Sequence, residues 1–290
     1  MAETVDISFV HGYTAEITRQ YAATEDKVRD ACRVKTGTTG KTYHFERLAD
    51  DTDFVTISSR HQPTHFLTPA HSRRRVSMTD KGGALVLDRH DSYKMLIQPK
   101  NDYAQNHASA WKRFINTAVF TAATASAVTV LADDTTGTAA LGAGQQIAAG
   151  GVGLTFEKVL QAARILNENN VPQGDRYFFM SPQGLEDLLQ ETEVTSSDFT
   201  QLMALKSGTM TGPYLGFTWV MTTQLTKVST TRTCLAWHKN SMGLVIPMEL
   251  EVHIDQLPTF NNAWQANALA AAGSVRVMEE GVVQVDITEV

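Results

Sequence analysis

LTFEKVLQAARILNENNVPQGDRYFFMSPQGLEDLLQ, residues 154–190, is followed by a polar segment and then by GTMTGPYLGFTWVMTTQL, residues 208–225. The run spells helix, Pro/Gly turn, short buried strand, Ser-Pro turn, second helix, loop and another strand. Thr155 is a helix cap, and Phe156, Val159, Leu160, Ala163 and Leu166 fall on one helical face. Arg176–Met180 is too short and too apolar for a helix and reads as a strand. Pro182 sits in the first turn of the next helix, where a missing N–H costs little. Phe217–Met221 is the closing strand. No nucleophile elbow, phosphate loop or metal motif interrupts this order.

Upstream, the chain changes period at Pro99. Asn101 and Asp102 are a helix start signal. Tyr103, His107, Trp111, Phe114, Ile115, Ala118 and Ala122 then recur at spacings of three and four. A helix reaching Ala125 has about 24 residues and is about 36 Å long. Residues 126–153 are small and Gly/Ala/Thr-rich, which suggests a connector carrying a short strand or hairpin. Downstream, Thr233–Trp237 is a strand, Met248–Ile254 alternates, and SVRVMEEGVVQVDITEV gives two strands joined by a Glu-Gly turn.

The first ninety residues are less regular. YTAEITRQYAATEDKVRDAC (13–32) reads as a helix with a thin stripe of Ile17, Tyr21 and Val28, which needs a partner surface. TGTTGK (36–41) lacks the phosphate-loop spacing and reads as a turn leading into a strand at Lys41–Glu46. FVTISSRHQPTHFLT and RRRVSMTDKGGALVLD, within 54–87, read as two long strands whose middle holds Pro63 and Pro69. Such a protruding two-stranded element is marginal alone and is expected to lie on something, such as another subunit. Strands scattered over the whole length make the fold class α+β with long-range pairing, not a series of βαβ units.

Composition excludes several classes. The chain has 290 residues, 42% hydrophobic and 19% charged, enough for one large domain or two interlocked ones. No run of about 18 apolar residues is present, so no membrane-spanning helix is expected. MAETVDISFVHGYT has neither the basic nor the apolar region of a secretory signal. Cys32 and Cys234 stand far apart, outside any CxxC pair, and read as two reduced thiols. The net charge is −6. Residues 60–100 hold eight Lys/Arg and three Asp/Glu, so this segment is +5 and the remainder −11. Glu186, Asp187, Glu191, Glu193 and Asp198 form an acidic block. A globally acidic chain is a poor nucleic-acid binder, since phosphate affinity comes from basic surface.

The chemical candidates are weak. His61, His65, His71 and His90 cross two prolines with no HExxH frame, which suits an interface loop better than a metal site. Asp133-Asp134 lacks the Gly and Glu of a calcium loop. Trp111, Trp219, Trp237 and Trp264 suit a core or an interface better than a ligand platform. Arg73-Arg74-Arg75 is the sharpest charge run. It is a solvated strand end or a clamp on an acidic patch of a neighbour, with Glu191 and Glu193 as candidate partners; direct DNA contact on an inner wall is the weaker third reading, since no aromatic residues interleave the arginines. Alternation puts Arg73 and Arg75 on one face and Arg74 on the other.

In order and wording, RYFFMSP, GPYLGFTWVMTTQL and AAGSVRVMEEGVVQVDI resemble the Hong Kong 97-type major capsid proteins of tailed phages, over nearly the whole chain. The resemblance implies an N-terminal arm at 1–40 and an extended loop (β-hairpin) at 41–88. It places a peripheral domain at 89–153 and 247–290, with its long spine helix, and an axial domain at 154–246. It implies a structural protein and no enzyme, which self-assembles from hexamers and pentamers into an icosahedral shell enclosing double-stranded DNA. No sequence-specific DNA binding, no membrane and no cofactor are implied. Portal and scaffold proteins are the implied partners, a decoration protein is compatible, and the place is the virion, assembled in the host cytoplasm. No lysine–asparagine cross-link motif is identifiable. An encapsulin-like nanocompartment shell, which binds a cargo enzyme, is the alternative of the same fold. A soluble metal-dependent hydrolase using His61 or His65 is the alternative from another class. The capsid reading expects His61→Ala and His65→Ala to leave no enzymatic phenotype. Elemental analysis finding a stoichiometric transition metal, lost in these variants, would overturn it.

Overall fold

The computed structural model describes residues 22–49, 54–67, 69–92, 100–131, 133–190 and 213–289. Their strands, in chain order, are β1 (Arg33–Thr36), β2 (Thr42–Leu48), β3 (His71–Ser77), β4 (Thr79–Leu87), β5 (Ala127–Leu131), β6 (Thr136–Ala139), β7 (Gln146–Ile147), β8 (Arg176–Met180), β9 (Pro213–Tyr214), β10 (Phe217–Met221), β11 (Lys227–Val228), β12 (Thr231–His238), β13 (Met242–Leu257), β14 (Ala263–Arg276) and β15 (Val282–Thr288). The helices are α1 (Arg89–Ser92), α2 (Lys100–Thr124), α3 (Phe156–Glu168) and α4 (Pro182–Gln190). The strands form three sheets, ordered β1-β13-β14-β4, β2-β3-β5-β6 and β7-β15-β12-β8-β10-β9, with β11 beside β12. The α+β class and the scattered, long-range pairing follow the sequence expectation.

Helix α2 runs along the first sheet and supplies its core. Trp111, Ile115, Val119, Phe120 and Ala123 are buried, a stripe at the expected three- and four-residue spacing. The helix has no basic residue in its last turn. Its unsatisfied carbonyls are met by Arg276 of β14, whose Nη1 donates to Ala123 O at 2.7 Å and Ala125 O at 2.8 Å. A cation at this end also complements the helix dipole. Phe120 then packs on Phe179 and Trp237, and the last two stack at 4.3 Å between ring centroids.

The arm differs from expectation. Residues 22–32 of the anticipated 13–32 helix are not helical, and residues 13–21 lie outside the described residues. The reason is competition for backbone bonds. Asn116 of α2 accepts from Lys27 N at 3.2 Å and donates to Glu25 O at 3.0 Å. These side-chain bonds take backbone groups that a helix would use for i→i−4 bonds, and the segment ends in a turn, with Ala31 N donating to Val28 O at 3.0 Å. Of the expected stripe, Val28 lies within the described residues and is fully buried, as is Ala31, and Trp237 Nε1 donates to Ala31 O at 2.8 Å.

The expected pair of strands in 54–87 is also revised. Residues 54–67 carry no strand and all are exposed. The hairpin is instead β2 with β3, in register from Thr42↔Ser77 to Leu48↔His71. It is not isolated, since β3 pairs on its other side with β5. Strand β4 leaves the hairpin and pairs with β14. The two C-terminal strands exist but diverge. β14 stays with β13 and β4, while β15 joins β12 in another sheet instead of returning with the tail.

The segment 154–190 folds as read. Thr155 caps α3 by accepting from Lys158 N at 3.4 Å, and β8 and β10 pair in parallel. One face of α3 is rotated from expectation: Val159, Ala162 and Leu166 are buried while Leu160 is exposed. The buried set includes Lys158, whose Nζ lies 2.8–3.2 Å from the carbonyls of Ala149, Val152, Gly153 and Asp286. Burial lowers the Lys158 pKa, opposed by the nearby Cys234, Asp286 and Asp187. Cys32 and Cys234 are buried free thiols, and burial pushes Cys234 up to about 12.

The C-terminal end is locked by Glu289, which is 3% exposed. Its carboxylate lies 2.7 Å from Arg232 Nε and 3.2 Å from Lys227 Nζ. Burial alone would raise its pKa. Hydrogen bonds from Ser181, Arg232 and Lys227 outweigh that and lower it. A carboxyl lowered in the folded state stabilises above its unfolded pKa, about 4.3, and the contribution is lost as pH falls through the folded value. Glu289→Gln is therefore expected to reduce stability at pH 7 and to flatten the acid limb of the stability curve. Denaturant titrations from pH 7 to pH 3 check this; parallel curves for both proteins would count against it.

Candidate inter-subunit surface

Strand β3 turns the arginine triplet into three different groups. Its exposure alternates, so that Arg74 and Val76 face inward and Arg73 and Arg75 face away. Arg73 Nε lies 3.0 Å from the carboxylate of Glu46, its register partner on β2, and both side chains are exposed. Arg75 faces the same way. Its Nε is shielded from water and has no hydrogen-bond partner among the described residues.

Arg74 corrects the sequence reading. It is 3% exposed and points into its own chain. It bonds the Thr129 hydroxyl of β5 and the Glu279 carboxylate, and its Nε donates to Val277 O at 3.3 Å. Arg74 is thus no candidate for a neighbouring subunit, because a guanidinium in the core must be neutralised where it stands. Reversal of all three arginines would strike this interior pair, so the question of surface contact narrows to Arg73 and Arg75.

Glu279 and Arg47 are the site residues that the sequence reading missed. Arg47 of β2 donates to Glu279 at 2.8 Å and to Glu280 at 2.7 Å. Two arginines of the hairpin therefore grip the turn between β14 and β15. MEEG reads locally as a turn. No signal in the sequence marked it as more, since the demand for a buried anion arises only once the structure puts Arg74 on the inward face of β3. Of the acidic block, Glu186 is exposed, and Asp187 accepts from Leu154 N at 3.1 Å. Glu191 and Glu193 lie outside the described residues.

The exposed surface is concentrated beyond the hairpin. Phe54 is 102% exposed, Ile57 79% and Phe66 86%, with Val55, Leu67 and Leu48 also exposed. A single exposed leucine needs no explanation, but a run of this kind marks an interaction site. His61 and His65 stand in this run, His71 begins β3 and His90 lies in α1; all four are exposed. Among the described residues no three His, Cys, Asp or Glu side chains group as metal ligands. Also among them, no helix is long and apolar enough to cross a membrane. Of the tryptophans, Trp111, Trp219 and Trp237 are buried.

The site therefore combines a hairpin gripped by the turn between β14 and β15 with an exposed apolar loop beside it. The chain belongs to the phage capsid protein family, whose model matches residues 5–289. No curated protein matches the sequence. The capsid structure of the cyanophage P-SCSP1u is similar at a TM-score of 0.78 and 15% identity, covering 100% of this chain and 96% of that one. The head structure of Helicobacter pylori bacteriophage KHP40 is similar at 0.75 and 7% identity, covering 99% and 98%. A structure from Mycobacterium phage Che8 is similar at 0.70 and 15% identity, covering 96% and 97%. The fold is the expected Hong Kong 97-type capsid fold, and the protein is a structural major capsid protein. Neither the nanocompartment shell nor the hydrolase is favoured.

Two adjacent arginines of β3, Arg73 and Arg74, give a direct comparison. Removing one partner of a buried ion pair costs about 3–5 kcal/mol, whereas an exposed pair contributes about 0–1 kcal/mol. Arg74→Ala is expected to lower unfolding free energy by the larger amount and Arg73→Ala by the smaller. Equilibrium denaturation of both variants checks this; equal effects would place Arg74 outside the core.

Proposed function

We propose that this chain forms the icosahedral shell of a tailed phage, its copies grouped as hexamers and pentamers around double-stranded DNA that is held without sequence-specific contact. In this reading it performs no catalysis and needs no cofactor. It works with portal and scaffold proteins, accommodates a decoration protein, and assembles in the host cytoplasm before residing in the virion. The arm is 1–40, the extended loop 41–88, the peripheral domain 89–153 with 247–290, and the axial domain 154–246. The pairing of β15 with β12 argues for counting the last strand with the axial sheet.

The observation that carries the reading is the loop 54–67. Phe54, Ile57 and Phe66 stand almost fully in water. Burying one such side chain is worth about 1.5–3 kcal/mol. A free monomer leaves that stabilisation unused, and a lattice of copies recovers it at every subunit. The extended loop lies across a neighbouring peripheral domain in this arrangement, and the axial domains meet around the five- and six-fold axes.

Negative-stain microscopy and size-exclusion chromatography test it. The purified protein, with a scaffold where one is required, is expected to give closed particles or capsomer-sized rings. A well-folded chain that stays monomeric under those conditions overturns the proposal.

A further inference from the structure

The chain passes twice between the sheet of β12 and β15 and the sheet of β13 and β14. The first crossing is the 3-10 turn Lys239–Ser241, and the second is residues 277–281. The crossings bond each other. His238 N donates to Gly281 O at 3.0 Å, and the amides of Val277 and Met278 donate to Ser241 O at 2.8 and 3.3 Å.

His238 stands where the first crossing begins. It is 7% exposed, and its Nδ1 accepts from Asn240 N at 3.3 Å, which closes the 3-10 turn. A ring nitrogen that accepts carries no proton, so this bond belongs to the neutral imidazole alone. A Cβ at Gly281 would lie 3.9 Å from His238 Cβ, so the side chain borders the second crossing too.

The surroundings disfavour a second positive charge. His238 and Arg176 stand opposite one another in the β8–β12 ladder and share a face, which places their Cβ atoms about 4.5–5.5 Å apart. Arg176 is 3% exposed, and its guanidinium bonds neutral oxygens: Pro172 O at 2.8 Å, Asn167 Oδ1 at 2.8 Å and Val171 O. Lys239 is a further cation next in sequence. Strand β1, which packs on the 239–241 turn, carries Arg33 and Lys35 and no carboxylate. Glu279 and Glu280 of the second crossing are taken by Arg47 and Arg74. Asp30 acts on Tyr177, the ladder partner of Trp237. Burial lowers the His238 pKa; Asp175 opposes this and Arg176 reinforces it.

We propose that His238 is an acid-sensitive latch of the double crossing: neutral, it holds the 239–241 turn against the 277–281 turn, and its protonation frees the two sheets to change their angle. A histidine lowered in the folded state contributes stability that is complete above its unfolded pKa, about 6.5, and is lost as pH falls through the folded value. Acid thus charges His238 beside Arg176 and turns its acceptor into a donor facing Asn240 N–H. The latch lies within one chain, so it goes beyond the shell reading and does not depend on it. In a shell the same angle recurs in every copy, and one titration acts on all of them together.

His238→Asn tests the latch, because it keeps an acceptor for Asn240 N and removes the titration. Urea unfolding of the purified full-length chain is followed from about pH 7.5 to about pH 5. Below about pH 6.5 the wild-type unfolding constant is expected to rise relative to that of His238→Asn, by up to about tenfold per pH unit while the native imidazole stays neutral. Glu289 acts lower, below about pH 4.3, so the two windows separate. Parallel curves for the two proteins overturn the latch. Should His238→Asn fail to fold, hydrogen exchange in the wild-type chain decides. After correction for intrinsic exchange, protection of the Asn240 amide is expected to fall about tenfold or more between about pH 7 and pH 5, while the β8–β10 ladder keeps its protection. Protection at Asn240 that is unchanged, or that falls only together with that ladder, overturns the latch.

Discussion

Three sheets meet at the six residues RVMEEG, 276–281, and the rest of the fold hangs on the bonds made there. Arg276 ends β14 and caps α2 from within, and its Nη2 also holds Ala139 O of β6 at 2.9 Å. Val277, fully buried, donates to Ser241 O at 2.8 Å and accepts from Arg74. Glu279 takes the guanidinium groups of Arg74 and Arg47, its carbonyl accepts from Gln145, and Glu280 O accepts from Asn169 at 3.1 Å. Gly281 then accepts from His238 N at 3.0 Å and has no room for a side chain, since a Cβ would strike Ser241. One short connection thus fixes the angle between the helix-backed sheet, the hairpin sheet and the sheet that carries β8, β10, β12 and β15.

Charge is what makes that junction specific. An apolar turn could pack there, but it would not set direction. Arg74 and Arg47 leave the hairpin at two depths, one buried and one half-buried, and converge on the same carboxylate. Rotating the hairpin by one residue would put Arg73 and Arg75 inside and leave Glu279 without its buried partner. The one-residue slip that every strand permits is therefore costly here. The close approach of Gly243 to the Phe45 ring works in the same direction. A Cβ there would come within 2.5 Å of the ring, so the hairpin seats only on a glycine.

How much of this was legible follows from how local each signal is. The helix α2, the cap at Thr155 and the strands Arg176–Met180 and Phe217–Met221 were readable because spacing and turn residues define them within a few positions. The alternation of the triplet was readable for the same reason. Which face of β3 looks inward was not, because that depends on β5 and on Glu279, two hundred residues away in the fold's ordering. Val55 and Ile57 imitate a strand, yet a strand is made by its partner, and the partner of β3 is β2. The arm imitates a helix until Asn116 takes its backbone bonds. Glu279 looked like a turn residue since nothing beside it in sequence shows the guanidinium groups it receives.

The charge count by itself overstates what electrostatics can do between subunits. The basic segment 60–100 carries +5 in sequence. In the fold, Arg74 is neutralised internally by Glu279, Arg73 faces Glu46, and Lys81 lies over Phe114. An exposed pair that remains is worth about 0–1 kcal/mol, while one fully exposed phenylalanine brought out of water is worth about 1.5–3 kcal/mol. Two phenylalanines and an isoleucine in the loop therefore outweigh the surviving charges as a source of cohesion. The charges retain a different role, which is selection. Like charges brought together at a contact repeated throughout a shell are penalised at every repeat. Cohesion then comes from the exposed aromatic residues, and the charges select among contacts.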